Sequence, residues 1–133
     1  MKNTSLTLSG QAFVGEELTL RPVDIIIESG IIAAIEENSR APGIWICPAF
    51  FNAHTHLGDT VAMDCRITGD ISSLVTPPDG LKHRLLAETS RQDLIRGMRT
   101  SIEEMIAGGV AGCADFREGG AAGVSALRKA ADG

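Results

Sequence analysis

Apolar and polar positions alternate with a period of two through the first third of the chain. Ser5-Leu6-Thr7-Leu8, Leu18-Thr19-Leu20, Asp24-Ile25-Ile26-Ile27-Glu28 and Ile31-Ile32-Ala33-Ala34-Ile35 are short β-prone runs. Gly10, Gly15, Pro22 and Ser29-Gly30 punctuate them. Ile27 to Ile32 reads as a hairpin, with Gly30 free to take the positive φ of a tight turn. So few strands form a thin sheet that needs a covering layer. Residues 36 to 43, Glu-Glu-Asn-Ser-Arg-Ala-Pro-Gly, are polar and turn-rich, and read as a connection. Ile44 to Ala53 is then nearly continuous in apolar residues, the pattern of a buried strand.

Beyond it the period changes. Gly58 to Leu86 shows no clean repeat and holds Thr76-Pro77-Pro78-Asp79-Gly80. It reads as a long loop, of the kind that serves as a lid or binding loop, with a short helical piece around Leu81 to Leu86. Ser90 is an N-cap, with Asp93 three residues on, ahead of Leu94, Ile95, Met98, Ile102, Met105 and Ile106 at helical spacing. This predicts an amphipathic helix from Arg91 to about Ala107, ending at Gly108-Gly109. Met98 and Met105 belong to its buried stripe. Val110 to Phe116 suits a strand buried on both faces, Arg117 to Gly120 a loop, and Val124 to Ala131 a second helix. Strand, loop, helix, strand, loop, helix is a βαβα order, which predicts parallel strands.

Composition changes this picture only at its edges. The 133 residues, 44% hydrophobic and 22% charged, suit a globular domain with a real core. A formal charge of −5 without a Lys/Arg cluster argues against nucleic acid or an anionic membrane surface and leaves a small molecule as the expected partner. The amino terminus lacks the apolar core of a signal peptide and Ile25 to Ile35 is too interrupted to span a bilayer, so the expected location is cytoplasmic. Cys47, Cys65 and Cys113 form no C-x-x-C pair. Cys47 and Cys113 read as small core residues, and Cys65 lies in a polar stretch.

The candidate chemistry lies where the apolar run ends. In His54-Thr55-His56 the two imidazoles stand at i and i+2, hence on one side of a strand, close enough to share a divalent metal. Two histidines only begin such a site, since catalytic zinc takes three protein ligands and structural zinc four. Asp59, Asp64 and Asp115 are the carboxylates that could join them, and Asp115 falls near the end of the second predicted strand. His83, beside Lys82 and Arg84, reads by itself as a solvated surface histidine. Asp64, Arg66, Asp70, Arg117 and Glu118 could each orient a substrate, but exposed charges are usually just solvated.

These residues carry a resemblance. Pro48-Ala49-Phe50-Phe51-Asn52-Ala53-His54-Thr55-His56-Leu57 resembles the P-G-x-x-N-x-H-x-H-L signature of the amidohydrolase superfamily, in the branch of cytosine deaminase, guanine deaminase and chlorohydrolase-like enzymes. The helix ending in Met105-Ile106-Ala107-Gly108-Gly109-Val110 and the strand ending in Ala114-Asp115-Phe116 are similar to the next stretch of chain in that family. The resemblance implies an α/β protein. Residues 1–47 would form the amino-terminal part of a small β-sandwich, and residues 48–133 the first two βα units of an incomplete (β/α)8 barrel. It also implies His54 and His56 as metal ligands, one divalent ion, zinc or alternatively iron, and a metal-activated water that hydrolyses C–N bonds of a cyclic amine or amide. His83 and Asp115 would lie toward substrate. Asn52, often Asp in the dinuclear branch, tilts the expectation to a mononuclear site, and Ala49 departs from the usual Gly. The family's later metal ligands and proton-transfer residues have no counterpart before Gly133. The chain is therefore expected to be an amino-terminal portion, inactive alone and prone to self-association. A non-catalytic metal-binding or interaction module, associating through an open barrel edge, is the alternative.

Overall fold

The structure, a computed structural model, describes residues 5–132. It divides into two compact units, Met1–Pro48 and Ala49–Gly133.

The first unit is one four-stranded sheet, ordered β3-β2-β1-β4, of β1 (Ser5–Val14), β2 (Thr19–Glu28), β3 (Ile31–Glu37) and β4 (Trp45–Ile46). β1 and β2 pair antiparallel along their whole lengths, Leu6 opposite Ile27 and Leu8 opposite Ile25, while β4 runs parallel to β1. Gly10 and Pro22, expected as breaks, lie inside strands. A side chain at Gly10 would place its Cβ 2.5 Å from the Ile44 carbonyl oxygen and 2.9 Å from Ile46 Cδ1, so glycine is what lets β4 approach β1. Pro22 pairs with Gln11, whose N–H donates to Ile44 O (2.7 Å) on the opposite side. The nitrogen that cannot donate faces the end of the β2–β3 ladder, where the Pro22 carbonyl accepts from Asn38 N–H at 2.9 Å. The β2–β3 hairpin has a two-residue loop with φ of 51° at Ser29 and 82° at Gly30, the doubly positive geometry that matches strand twist. Ala12, Val23 and Ile25 are buried together, with Val14, Ile27 and Ile46 packed around them.

The second unit begins with β5 (Phe50–Thr55) and ends its sheet with β6 (Val110–Asp115), which pair in parallel. Between them come a 3-10 turn (Leu57–Ala62), α1 (Ile71–Val75), α2 (Leu81–Glu88) and α3 (Arg91–Ala107); α4 (Gly120–Ala131) follows β6. The stretch expected as loop is thus largely helical, built from pieces too short to show a period. Asp70 caps α1 by accepting from Ser73 N–H at 2.8 Å. Ser90 caps α3 by accepting from Asp93 N–H at 3.1 Å, and its hydroxyl donates to the Asp93 carboxylate at 2.7 Å. Met98 is fully buried with Leu57, Ala126 and Ala130, and Leu94, Ile95, Ile102, Met105, Cys113 and Leu127 pack around them. α3 and α4 are also tied by Arg99, which donates to the Lys129 and Ala130 carbonyls at 2.9 and 3.3 Å, satisfying the orphan acceptors of the last turn of α4.

The run from Ile44 to Ala53 departs most from expectation. It breaks at Cys47-Pro48 into two strands of different units, and Ile44, Trp45, Phe50 and Phe51 are each more than 60% exposed. Cys47 is exposed, not a core residue. Likewise β6 is only half-buried, because among the described residues β5 is its one neighbour, and Ile106, at the edge of the α3 stripe, faces outward. Among the described residues no helix is long and apolar enough to cross a membrane.

Candidate metal centre

β5 delivers both histidines to its carboxyl end, the end at which open parallel sheets gather ligands. Strand alternation sends Thr55 the other way. Its buried hydroxyl donates to the Ala114 carbonyl (3.1 Å) and sits 3.2 Å from Asp115 Oδ1, while Phe116 N–H donates back to Thr55 O at 2.8 Å. With Thr55 pinned to β6, His54 and His56 are left on one side, their Nε2 atoms 3.2 Å apart. Two imidazole nitrogens bound at tetrahedral angle to one zinc ion, each ~2.05 Å away, stand about 3.3 Å apart. The pair therefore has the bite of a metal chelate. Phe116 stacks on His54, with ring centroids 4.3 Å apart and planes at 29°, and Asn52 Oδ1 accepts from His54 N–H at 3.3 Å.

A charged network surrounds His56. Lys82 of α2 reaches Glu118 Oε1 at 2.5 Å, Asp59 Oδ2 at 2.9 Å and His56 Nδ1 at 3.5 Å. Glu118 Oε1 stands 3.7 Å from His56 Nδ1, and its other oxygen accepts from Arg117 at 2.5 Å. Partial burial pushes the Glu118 carboxyl up. The hydrogen bond from Lys82, its own backbone N–H, the lysine's charge and the Arg117 hydrogen bond outweigh that and hold it down at about 2. For Lys82, burial pulls the ammonium down and its two carboxylate partners pull it up further, leaving it raised. Asp59 Oδ1, by contrast, is shielded from solvent and has no hydrogen-bond partner among the described residues.

Asp115 is brought to this end of the sheet but is already occupied. Buried, it accepts from Leu57 N–H at 2.6 Å and lies 3.4 Å from Arg117, itself buried and donating to Met98 Sδ at 3.4 Å. It thereby locks the turn that follows His56. His83 is not brought to the histidine pair. Its Nε2 lies 3.1 Å from the Val75 carbonyl, and its neighbour Lys82 reaches the site instead. Asp64 does not join the pair, and among the described residues no set of three or more metal-ligating side chains is assembled. Arg117 and Glu118, for which solvation is the expected state and a substrate-orienting role the alternative, are buried and half-buried. Their signal was position alone, directly after a strand ending in Asp115-Phe116. The ring stack of Phe116 left none.

An amidohydrolase family model matches residues 45–133, and the chain belongs to that family. It is 40% identical over 131 residues to an uncharacterized protein of Methanocaldococcus jannaschii, covering 94% of this chain and 34% of that protein. It is also 26% identical over 114 residues to the 5-methylthioadenosine/S-adenosylhomocysteine deaminase of Pyrococcus furiosus, covering 77% of this chain and 26% of that enzyme. Among solved structures, a triazine hydrolase from Arthobacter aurescens has the same fold over 92% of this chain and 31% of its own, with a TM-score of 0.60 and 21% identity. The chain thus spans about a third of the length of the relatives it matches.

Proposed function

We propose that this chain carries the first metal-binding strand of a metal-dependent hydrolase that cleaves a carbon–nitrogen bond of a cyclic amine or amide, releasing ammonia in the deaminase manner. The observation that carries the reading is the 3.2 Å separation of His54 and His56 Nε2 at the carboxyl end of β5. The β5–α3–β6–α4 order fits the first two units of a (β/α)8 barrel, in which that end holds the chemistry. The name of the Pyrococcus furiosus relative makes an amino-substituted purine nucleoside the first substrate class to try.

A zinc ion held there would supply a water acidic enough to attack an electron-poor carbon near neutral pH. This chain's own residues do the rest of the local work. His54 and His56 offer their Nε2 lone pairs, Phe116 limits rotation of the His54 ring, and the Thr55–Asp115–Leu57 bonds keep the strand end from fraying. Lys82, Asp59 and Glu118 make the rim polar and charged, suited to orient a heterocycle through its ring nitrogens.

The test uses the intact gene product, with elemental analysis and ammonia release from 5-methylthioadenosine and related amino-heterocycles. About one metal equivalent and turnover are expected, both lost in His54→Ala and His56→Ala with the circular-dichroism spectrum retained. A variant keeping a full equivalent of metal and normal turnover would sink the assignment. The exposed Phe50 and Phe51 favour a second reading, an interaction module associating through β5, which predicts assembly without metal or turnover.

A further inference from the structure

His56 Nδ1 faces a donor and an acceptor at nearly equal range, Lys82 Nζ at 3.5 Å and Glu118 Oε1 at 3.7 Å. The two partners select opposite tautomers. An ammonium has no lone pair, so it can pair with Nδ1 only when the ring proton sits on Nε2. A carboxylate only accepts, so it pairs with Nδ1 only when the proton is there. The Nε2 lone pair is free for a metal in the second case alone, and Nε2 is the atom aimed at His54. We propose that Glu118 is a positioning residue that holds His56 as the Nδ1–H tautomer, and that Lys82, by binding Glu118 and Asp59 at once, keeps Glu118 at its post and is itself drawn away from the imidazole.

This inference rests on the metal reading of the histidine pair. Its geometric support is separate: Lys82 lies closer to Glu118 (2.5 Å) and Asp59 (2.9 Å) than to His56, and its side chain is mostly buried. Arg117 holds the other carboxylate oxygen, Oε2, which leaves the placing of Oε1, the oxygen that faces His56, to the lysine. From 3.7 Å a modest turn of the His56 ring completes an N–H···O bond. Metal-ligating histidines ordinarily give their second N–H to such a carboxylate, which fixes ring orientation and raises basicity. His54 has no equivalent carboxylate contact among the described residues and is held by Phe116 instead, so loss of Glu118 should act on one ligand only.

The experiment measures zinc affinity of the intact gene product by competition with a chromophoric chelator, and the His56 tautomer by long-range 1H–15N correlation of the zinc-loaded protein. Glu118→Ala should weaken zinc roughly ten- to a hundredfold and broaden or shift the His56 ring nitrogens while leaving those of His54 in place. Glu118→Gln keeps an acceptor oxygen and should restore most of the affinity. Should the alanine variant not fold, Lys82→Met carries the test, with a smaller loss of affinity and the same spectral change confined to His56. Wild-type affinity with an unchanged Nδ1–H signature in Glu118→Ala, or in Lys82→Met where that variant stands in, would overturn the proposal and leave the metal site standing. Failure of the wild type to bind zinc would overturn both.

Discussion

Gly58 shows how closely the residues after the second histidine are fitted. A Cβ there would fall on the guanidinium of Arg117, which is buried against Asp115 and Met98. Gly58→Ala should therefore destabilise the second unit by about 1–3 kcal/mol through overpacking, and displacing Arg117 would leave the Asp115 carboxylate buried without its counter-charge. Urea denaturation checks it, and a stability within error of wild type would show that Arg117 can move freely. Glu118 makes a prediction in pH. Its carboxyl is held at about 2 in the folded protein against an ordinary 4.5. The folded state thus binds the proton less readily than the unfolded one. The resulting stabilisation is fully present above the ordinary value and is lost as pH falls toward about 2. Urea midpoints followed down to about pH 2 should show wild type and Glu118→Gln converging on acidification, whereas parallel curves would contradict the assignment.

At the scale of elements, the β1–β4 contact depends on one missing side chain. Gly10→Ala would put a methyl group 2.5 Å from the Ile44 carbonyl oxygen, and the short two-residue strand, rather than the long β1–β2 ladder, is what should yield. Trp45 of β4, the one tryptophan of the chain, meets Phe13 of β1 edge to face at a centroid distance of 5.9 Å. The bond from Gln11 N–H to Ile44 O (2.7 Å) reports on the same contact. The substitution should speed hydrogen exchange at the Gln11 amide while far-ultraviolet dichroism changes little, and unchanged exchange there would show β4 still seated. Helix α3 depends on no such single contact. Its cap, its Met98 stripe and the Arg99 bonds to α4 reinforce one another.

At the scale of the molecule, the second unit presents a two-stranded parallel sheet with Phe50, Phe51 and Phe116 all more than half exposed. A parallel pair normally has both faces covered and further strands beside it. The 133-residue chain studied alone should consequently self-associate, sedimenting above its 14.0 kDa monomer mass. Phe50→Lys should return it toward the monomer. A wild-type chain that stays monomeric at high concentration would show that these rings are tolerated in water.

The sequence by itself determined what local periodicity and motif chemistry can determine. Alternation marked the strands of the first unit, Ser90 and the Met98 stripe marked α3, and the i, i+2 spacing of His54 and His56 placed both imidazoles on one side of a strand, since these properties depend on neighbours a few residues away. Only the tertiary structure decided what surrounds them. Gly10 and Pro22 lie within strands because of where β4 and the end of β3 run. Lys82 rather than His83 meets His56, and Arg117 and Glu118 are enclosed rather than solvated, because α2 and the loop after β6 converge on the end of β5. Glu118 reads alike in water and beside Lys82 and His56 until the chain brings them together, because those partners lie about 40 and 60 positions away and leave no periodic trace.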